Sequence, residues 1–137
     1  MVRGASVSEI ALVCPGVTSV KGDGIAQTYS QVGQMQVFTK VNARVLTHES
    51  AHAQDYAAGV KDMTFTQGQT WLKAVAARSC APTAYAAEAG PTETYGDAML
   101  PYVFNLYRGS KYAAFDTSCL KAELKAIDTY TKGLSST

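Results

Sequence analysis

The spacing of apolar and polar positions changes along the chain and predicts strands first and helices afterwards. Residues 7–14 are an apolar run rich in Val, Ile and Leu, which predicts a strand that ends at Pro15-Gly16. Residues 17–20 predict a second short strand. Residues 25–39, where apolar side chains are mixed with Gln, Ser and Thr, predict one or two more strands.

Helical spacing begins near Lys40 and continues to about Ala58. Apolar side chains fall on two sides of this segment, and a helix that is apolar on two sides is usually central and well buried. Gly59 suits the position that follows the end of a helix. We therefore expect a buried central helix in this part of the chain.

Three further helices are predicted in the second half of the chain. One spans residues 69–79, one begins at Pro91, and the last spans residues 117–132. Pro101 is expected to kink or split the helix that begins at Pro91, because proline removes an internal hydrogen bond and clashes with the preceding turn.

These elements predict an α+β fold in a single domain that spans residues 1–137. A small N-terminal, strand-containing lobe is expected to face a helical C-terminal lobe across a cleft. The length suits one domain, and a content of 47% apolar and 17% charged residues excludes a disordered chain. The brief N-terminal region leaves room for a longer precursor.

Charge and hydropathy exclude two classes of partner. The formal net charge is +1 and no block of Lys or Arg stands out, so no binding to nucleic acid is expected. The chain has no run of 18 or more apolar residues, so no segment is expected to span a membrane.

The three cysteines cannot all pair within one chain. No secretory signal is visible, and we expect a secreted protein whose leader is missing here, with an intracellular protein as the alternative. For a secreted protein we expect a Cys80–Cys119 disulfide. Cys14 is either a small buried apolar residue or the site of a bond to a missing precursor segment or a partner chain.

Both histidines of the chain lie in one motif, His48-Glu49-Ser50-Ala51-His52, of the form H-E-x-x-H. On a helix, residues i and i+4 share a face, so two imidazoles at this spacing can hold one Zn²⁺. Glu49 lies between them, where it can act as general base toward a zinc-activated water. Two histidines can also share a helix by accident, but burying them without partners is costly, and zinc removes that cost.

The third protein ligand must be another residue type, because the chain has no third histidine. Glu93 is the preferred candidate, with Glu88 and Asp97 as alternatives and a cysteine thiolate less favoured. Asp97 follows Glu93 by four residues, so it can accept a hydrogen bond from a ligating histidine while Glu93 binds the metal. Glu93 can alternatively be a residue that only stabilises a helix N-terminus.

The motif, followed by Thr-Glu-Thr-Tyr-Gly at the start of a later helix, resembles the zincin superfamily of zinc metallopeptidases. Residues 40–105 are most similar to the fungal deuterolysin-like and lysine-specific metallo-endopeptidases. The chain lacks the Gly-Thr-x-x-Tyr-Asp motif that supplies an aspartate ligand in deuterolysins. Its E-x-x-x-D spacing instead resembles the thermolysin-type gluzincins, with Thr92 in the place of their Asn.

This resemblance implies a metallo-endopeptidase with Zn²⁺ as cofactor and a peptide or protein as substrate. It also implies that the substrate runs along a strand edge above the metal helix, which residues around Gln34 to Phe38 would supply. Glu49 would transfer a proton to the leaving amine. The oxyanion needs another donor, and we expect a tyrosine or arginine, with Tyr95 preferred over Tyr85 and Tyr102.

Other functions remain compatible with the same residues. The chain could be a zinc enzyme that acts on a small molecule or a biosynthetic product, since it is short for a zincin. It could also be a non-catalytic module with a structural or vestigial zinc, in which a fourth protein ligand would replace water. A motif that binds no metal is the least favoured interpretation.

Overall fold

The computed structural model describes most of the second half of the chain and short parts of the first. The described residues are 19–20, 26–29, 34–37, 42–57, 64–108 and 116–134. The strand predicted over residues 7–14, the helix-ending Gly59 and Cys14 all lie outside them.

Five α-helices form the main body of the described chain. They are α1 (Ala43–Ala57), α2 (Gln69–Ala76), α3 (Ala84–Ala89), α4 (Pro91–Arg108) and α5 (Lys121–Leu134). Short 3₁₀ turns at Phe65–Gln67 and Ser118–Leu120 precede α2 and α5. The predictions of α1, α2, α4 and α5 are confirmed, whereas α3 was not predicted.

Local sequence explains how α3 and α4 begin. The Thr83 hydroxyl accepts a hydrogen bond from the backbone N–H of Ala86 and thereby caps α3. Gly90 separates the two helices at φ 96°, a backbone conformation that side chains rarely adopt, and Pro91 then occupies the first position of α4. Pro101 does not split α4, which runs through it to Arg108.

The core lies between α1, α2, α4 and α5. Its largest fully buried side chains include Trp71, Tyr95 and Ile127. Phe65 packs against this cluster and stacks on Tyr130 with ring centroids 4.1 Å apart. The Trp71 indole N–H also donates to the Pro91 carbonyl over 2.8 Å, so α2 is fixed to the first residue of α4.

One pair of hydrogen bonds and one disulfide hold the helices in place around this core. The Asp55 carboxylate accepts hydrogen bonds from the Thr66 backbone N–H at 2.9 Å and hydroxyl at 2.7 Å, which ties α1 to the segment before α2. The predicted Cys80–Cys119 disulfide is present and joins the segment after α2 to the turn before α5.

None of the described helices is long and apolar enough to cross a bilayer.

A small sheet packs against α1. Its strands are β1 (Ser19–Val20), β2 (Ala26–Tyr29) and β3 (Gln34–Val37), in the order β1-β3-β2. β3 pairs in parallel with β1 and antiparallel with β2. The expectation that residues near Gln34 to Phe38 supply a strand edge for the substrate fails at Gln36 and Val37, which pair with a neighbouring strand on both sides.

The predicted α+β fold is also wrong. Every regular element within residues 42–57, 64–108 and 116–134 is helical, and the buried cluster described by the structure comes from helices and a 3₁₀ turn. The strands are only two to four residues long, too short to form a layer that could face a helical lobe. The long helices instead bury one another, and α1 packs most extensively against α4.

Candidate metal centre

The two histidines of α1 converge with Glu93 from the first turn of α4. His48 Nε2 and His52 Nε2 lie 3.0 Å apart, and Glu93 Oε2 lies 3.0 Å from the former and 3.5 Å from the latter. Among the described residues, these three form the one group of His, Cys, Asp or Glu whose ligand atoms lie close enough together that they could hold a metal ion. The histidine side chains are 13% and 12% exposed, while that of Glu93 is 30% exposed.

The spacing of these three atoms fits zinc. Four ligands placed tetrahedrally about 2.0–2.1 Å from Zn²⁺ are separated from one another by about 3.3 Å. The observed separations of 3.0, 3.0 and 3.5 Å bracket that value. Two imidazoles and one carboxylate are also a donor set that zinc hydrolases use with a fourth position open.

Asp97 fixes the orientation of the His48 ring from the side opposite Glu93. Its Oδ1 accepts a hydrogen bond from His48 Nδ1 at 2.9 Å, while Nε2 of the same ring faces His52 and Glu93. The same carboxylate accepts a hydrogen bond from Thr83 and lies 3.5 Å from the Arg44 guanidinium. Asp97 thus orients His48 rather than joining the group of ligand atoms.

Burial and hydrogen-bond partners determine the pKa shifts of Asp97 and His48. Burial opposes ionisation of Asp97, but hydrogen bonds from His48 and Thr83 outweigh it and lower the pKa of Asp97. Burial likewise opposes a charged His48, but the hydrogen bond to Asp97 and the negative charges of Asp97 and Glu93 outweigh it and raise the pKa of His48. Each ring nitrogen of His48 therefore faces a carboxylate.

Glu49 lies on α1 between the two candidate histidine ligands and is buried, with 6% exposure. Its negative charge is the smallest of the contributions that raise the pKa values of His48 and Tyr85. The role of general base that the motif predicts for Glu49 stays a prediction.

Tyr85 brings a phenol to the same group of residues. Its hydroxyl donates to Glu93 Oε2 at 3.1 Å, and its ring centroid lies 6.3 Å from that of His48. The residue is 55% exposed, so the hydroxyl lies at the boundary between ligands and solvent. Desolvation and the charge of Glu93 raise the pKa of Tyr85, which keeps the phenol protonated and able to donate.

The structure does not bring Tyr95, the tyrosine preferred from the sequence, to the ligand atoms. Its ring is fully buried in the core and its hydroxyl donates to Gln54 Oε1 at 3.1 Å. Residues two apart on a helix point about 200° apart, so Tyr95 faces away when Glu93 faces the histidines. Tyr102 is also remote in its contacts, since its hydroxyl donates to Asp128.

Of the alternative ligands, Glu88 is exposed on α3 and does not belong to the group. The interpretation of Glu93 as a helix-capping residue alone does not account for its contacts with both histidines.

Sequence reasoning missed Thr83 and Arg44, the further partners of Asp97. A threonine at the start of an Ala-rich segment was the available signal for Thr83, because such residues commonly cap helices.

Comparison with known proteins finds no match to this chain among protein families, curated proteins or solved structures.

Proposed function

We propose that this chain is a zinc-dependent hydrolase of the metallo-endopeptidase type. The supporting observation is the convergence of His48 Nε2, His52 Nε2 and Glu93 Oε2 at separations that suit one tetrahedral zinc. A zinc ion bound there would lower the pKa of a water toward about 7 and polarise a substrate carbonyl.

Side chains of the protein would carry out the proton transfers and stabilise the negative charge that develops on the substrate. Glu49 accepts a proton from the attacking water and delivers it to the leaving amine. Tyr85 donates its phenolic hydrogen to the oxygen that becomes negative as the carbonyl is attacked. Its partial exposure and its position beside Glu93 favour it over Tyr95 for this role.

The Asp97 carboxylate keeps the His48 ring in one tautomer and one orientation throughout. The Cys80–Cys119 disulfide is compatible with secretion, because disulfides persist in oxidising compartments. We therefore propose a secreted enzyme that acts on peptides or proteins outside the cell.

The Glu49→Gln variant tests the proposal. We expect it to bind zinc as the wild type does and to lose at least about 100-fold in peptide hydrolysis, because the amide cannot accept the proton. Glu88→Gln, the same exchange at an exposed residue of α3, is the matched control and should retain full activity.

A broad peptide library and metal analysis read out the two parts of this test. Full hydrolysis by Glu49→Gln would refute the mechanism. Zinc bound by a wild-type protein that cleaves no peptide would instead favour a small-molecule zinc enzyme or a non-catalytic zinc module.

A further inference from the structure

We propose that Gly96 is a positioning residue for His48: the missing side chain at this point of α4 leaves the space that the imidazole ring occupies. The inference rests on the proposed function, because it concerns how one zinc ligand is held. Gly96 is buried within α4, between Tyr95 and Asp97.

The space available at Gly96 is too small for any side chain while His48 stays in place. A Cβ atom built on Gly96 would lie 2.6 Å from His48 Nδ1, 2.7 Å from Cε1 and 2.9 Å from Cγ. Ordinary van der Waals contact begins near 3.4 Å, so the ring and the Cβ would have to move apart by 3.4 − 2.6, about 0.8 Å. Three ring atoms are contacted at once, so a small tilt of the ring does not relieve the overlap.

Polar contacts on both sides of the ring limit how it can move. Nδ1 is held by Asp97 at 2.9 Å and Nε2 lies 3.0 Å from Glu93, and both carboxylates are carried by α4 itself. The His48 ring, which projects from α1, therefore packs on α4. It has a carboxylate partner at each nitrogen and Gly96 beneath its face. Metal–ligand distances tolerate deviations of only about 0.2 Å, so a displacement near 0.8 Å would break this arrangement.

Gly96→Ala tests this role, with Gly133→Ala as the matched control. Both glycines lie in helices, but a Cβ at Gly133 would meet nothing within 4 Å. We expect Gly96→Ala to weaken zinc binding about 10- to 100-fold, the loss seen when the supports of a metal ligand are removed, and Gly133→Ala to leave it unchanged. Competition with a chromophoric chelator gives the affinity, and the visible spectrum of the Co²⁺-loaded protein reports the ligand geometry.

A cycle with His48→Ala separates positioning from general packing. In metal-free protein, Gly96→Ala should lower the unfolding midpoint when His48 is present. It should have no such effect in the His48→Ala background, where the ring is gone. If Gly96→Ala alone does not fold, folding of the double variant would support the contact, and failure of the double variant would overturn it.

Unchanged zinc affinity and an unchanged Co²⁺ spectrum in Gly96→Ala would also overturn the proposal, as would equal destabilisation in both backgrounds. A wild-type protein that binds no zinc would refute the proposed function instead. The unfolding cycle would then still decide whether Gly96 determines the position of His48.

Discussion

Replacing Asp97 by Asn removes one negative charge at the residue that orients His48. Asp97 is almost fully buried, with its side chain 2% exposed. Its carboxylate accepts hydrogen bonds from His48 Nδ1 and Thr83 and lies beside Arg44. The exchange keeps the shape of the side chain, so its effect reports the charge and the hydrogen bonds rather than a cavity.

The hydrogen bond between Asp97 and His48 determines how much zinc affinity the exchange should cost. A hydrogen bond to a charged group contributes about 1.5–3 kcal/mol, and only the share that orients the ligand appears as metal affinity. Loss of such an orienting partner weakens metal binding about 10- to 100-fold, which corresponds to about 1.4–2.7 kcal/mol. We therefore expect the zinc dissociation constant of Asp97→Asn to rise by this factor.

Chelator competition at fixed pH measures the change. Asp128→Asn is the matched control, because Asp128 forms an ion pair with Lys132 on the surface of α5 and its hydrogen bond from Tyr102 lies away from the proposed metal ligands. Zinc affinity of Asp97→Asn within twofold of the wild type would refute the assigned role of Asp97.

Two further predictions concern catalysis and stability. In zinc-saturated protein, Tyr85→Phe should lower kcat about 100- to 1,000-fold with little change in KM, as expected for a lost oxyanion donor, whereas an unchanged kcat would exclude Tyr85 from this role. Burial raises the pKa of Glu123 from 4.5 to about 7, against the opposing effect of Arg78. Because the folded state binds this proton more tightly, the associated stability is fully present below about pH 4.5 and is lost as the pH rises through about 7, by up to about 3 kcal/mol. Glu123→Gln should abolish this part of the pH dependence in denaturant unfolding, and identical pH profiles for the two proteins would contradict it.

The sequence was most informative where all residues of a motif lie within one helix. The i, i+4 spacing of His48 and His52 requires no knowledge of the rest of the fold, and Pro91 marked the start of the helix that carries Glu93. The E-x-x-x-D spacing indicated that Glu93 and Asp97 share a face, and the structure brings both to opposite nitrogens of His48.

What the sequence could not supply depends on contacts between distant segments. The six residues of α3 are too few to show a helical period, so nothing indicated that Tyr85 lies beside Glu93. Short apolar runs near the N-terminus do not reveal how many residues will pair, and the described strands between residues 19 and 37 are only two to four residues long. The close approach of Gly96 to His48 arises only when α1 crosses α4.

A crystal structure of the zinc-loaded protein, with the ion located by its anomalous scattering, tests the central claim most directly. We expect one zinc per chain, bound by Nε2 of His48 and His52 and by the Glu93 carboxylate, with the fourth position open to solvent. Absence of an ion between these side chains after loading, or a fourth protein ligand that closes the site, would contradict the proposed hydrolase.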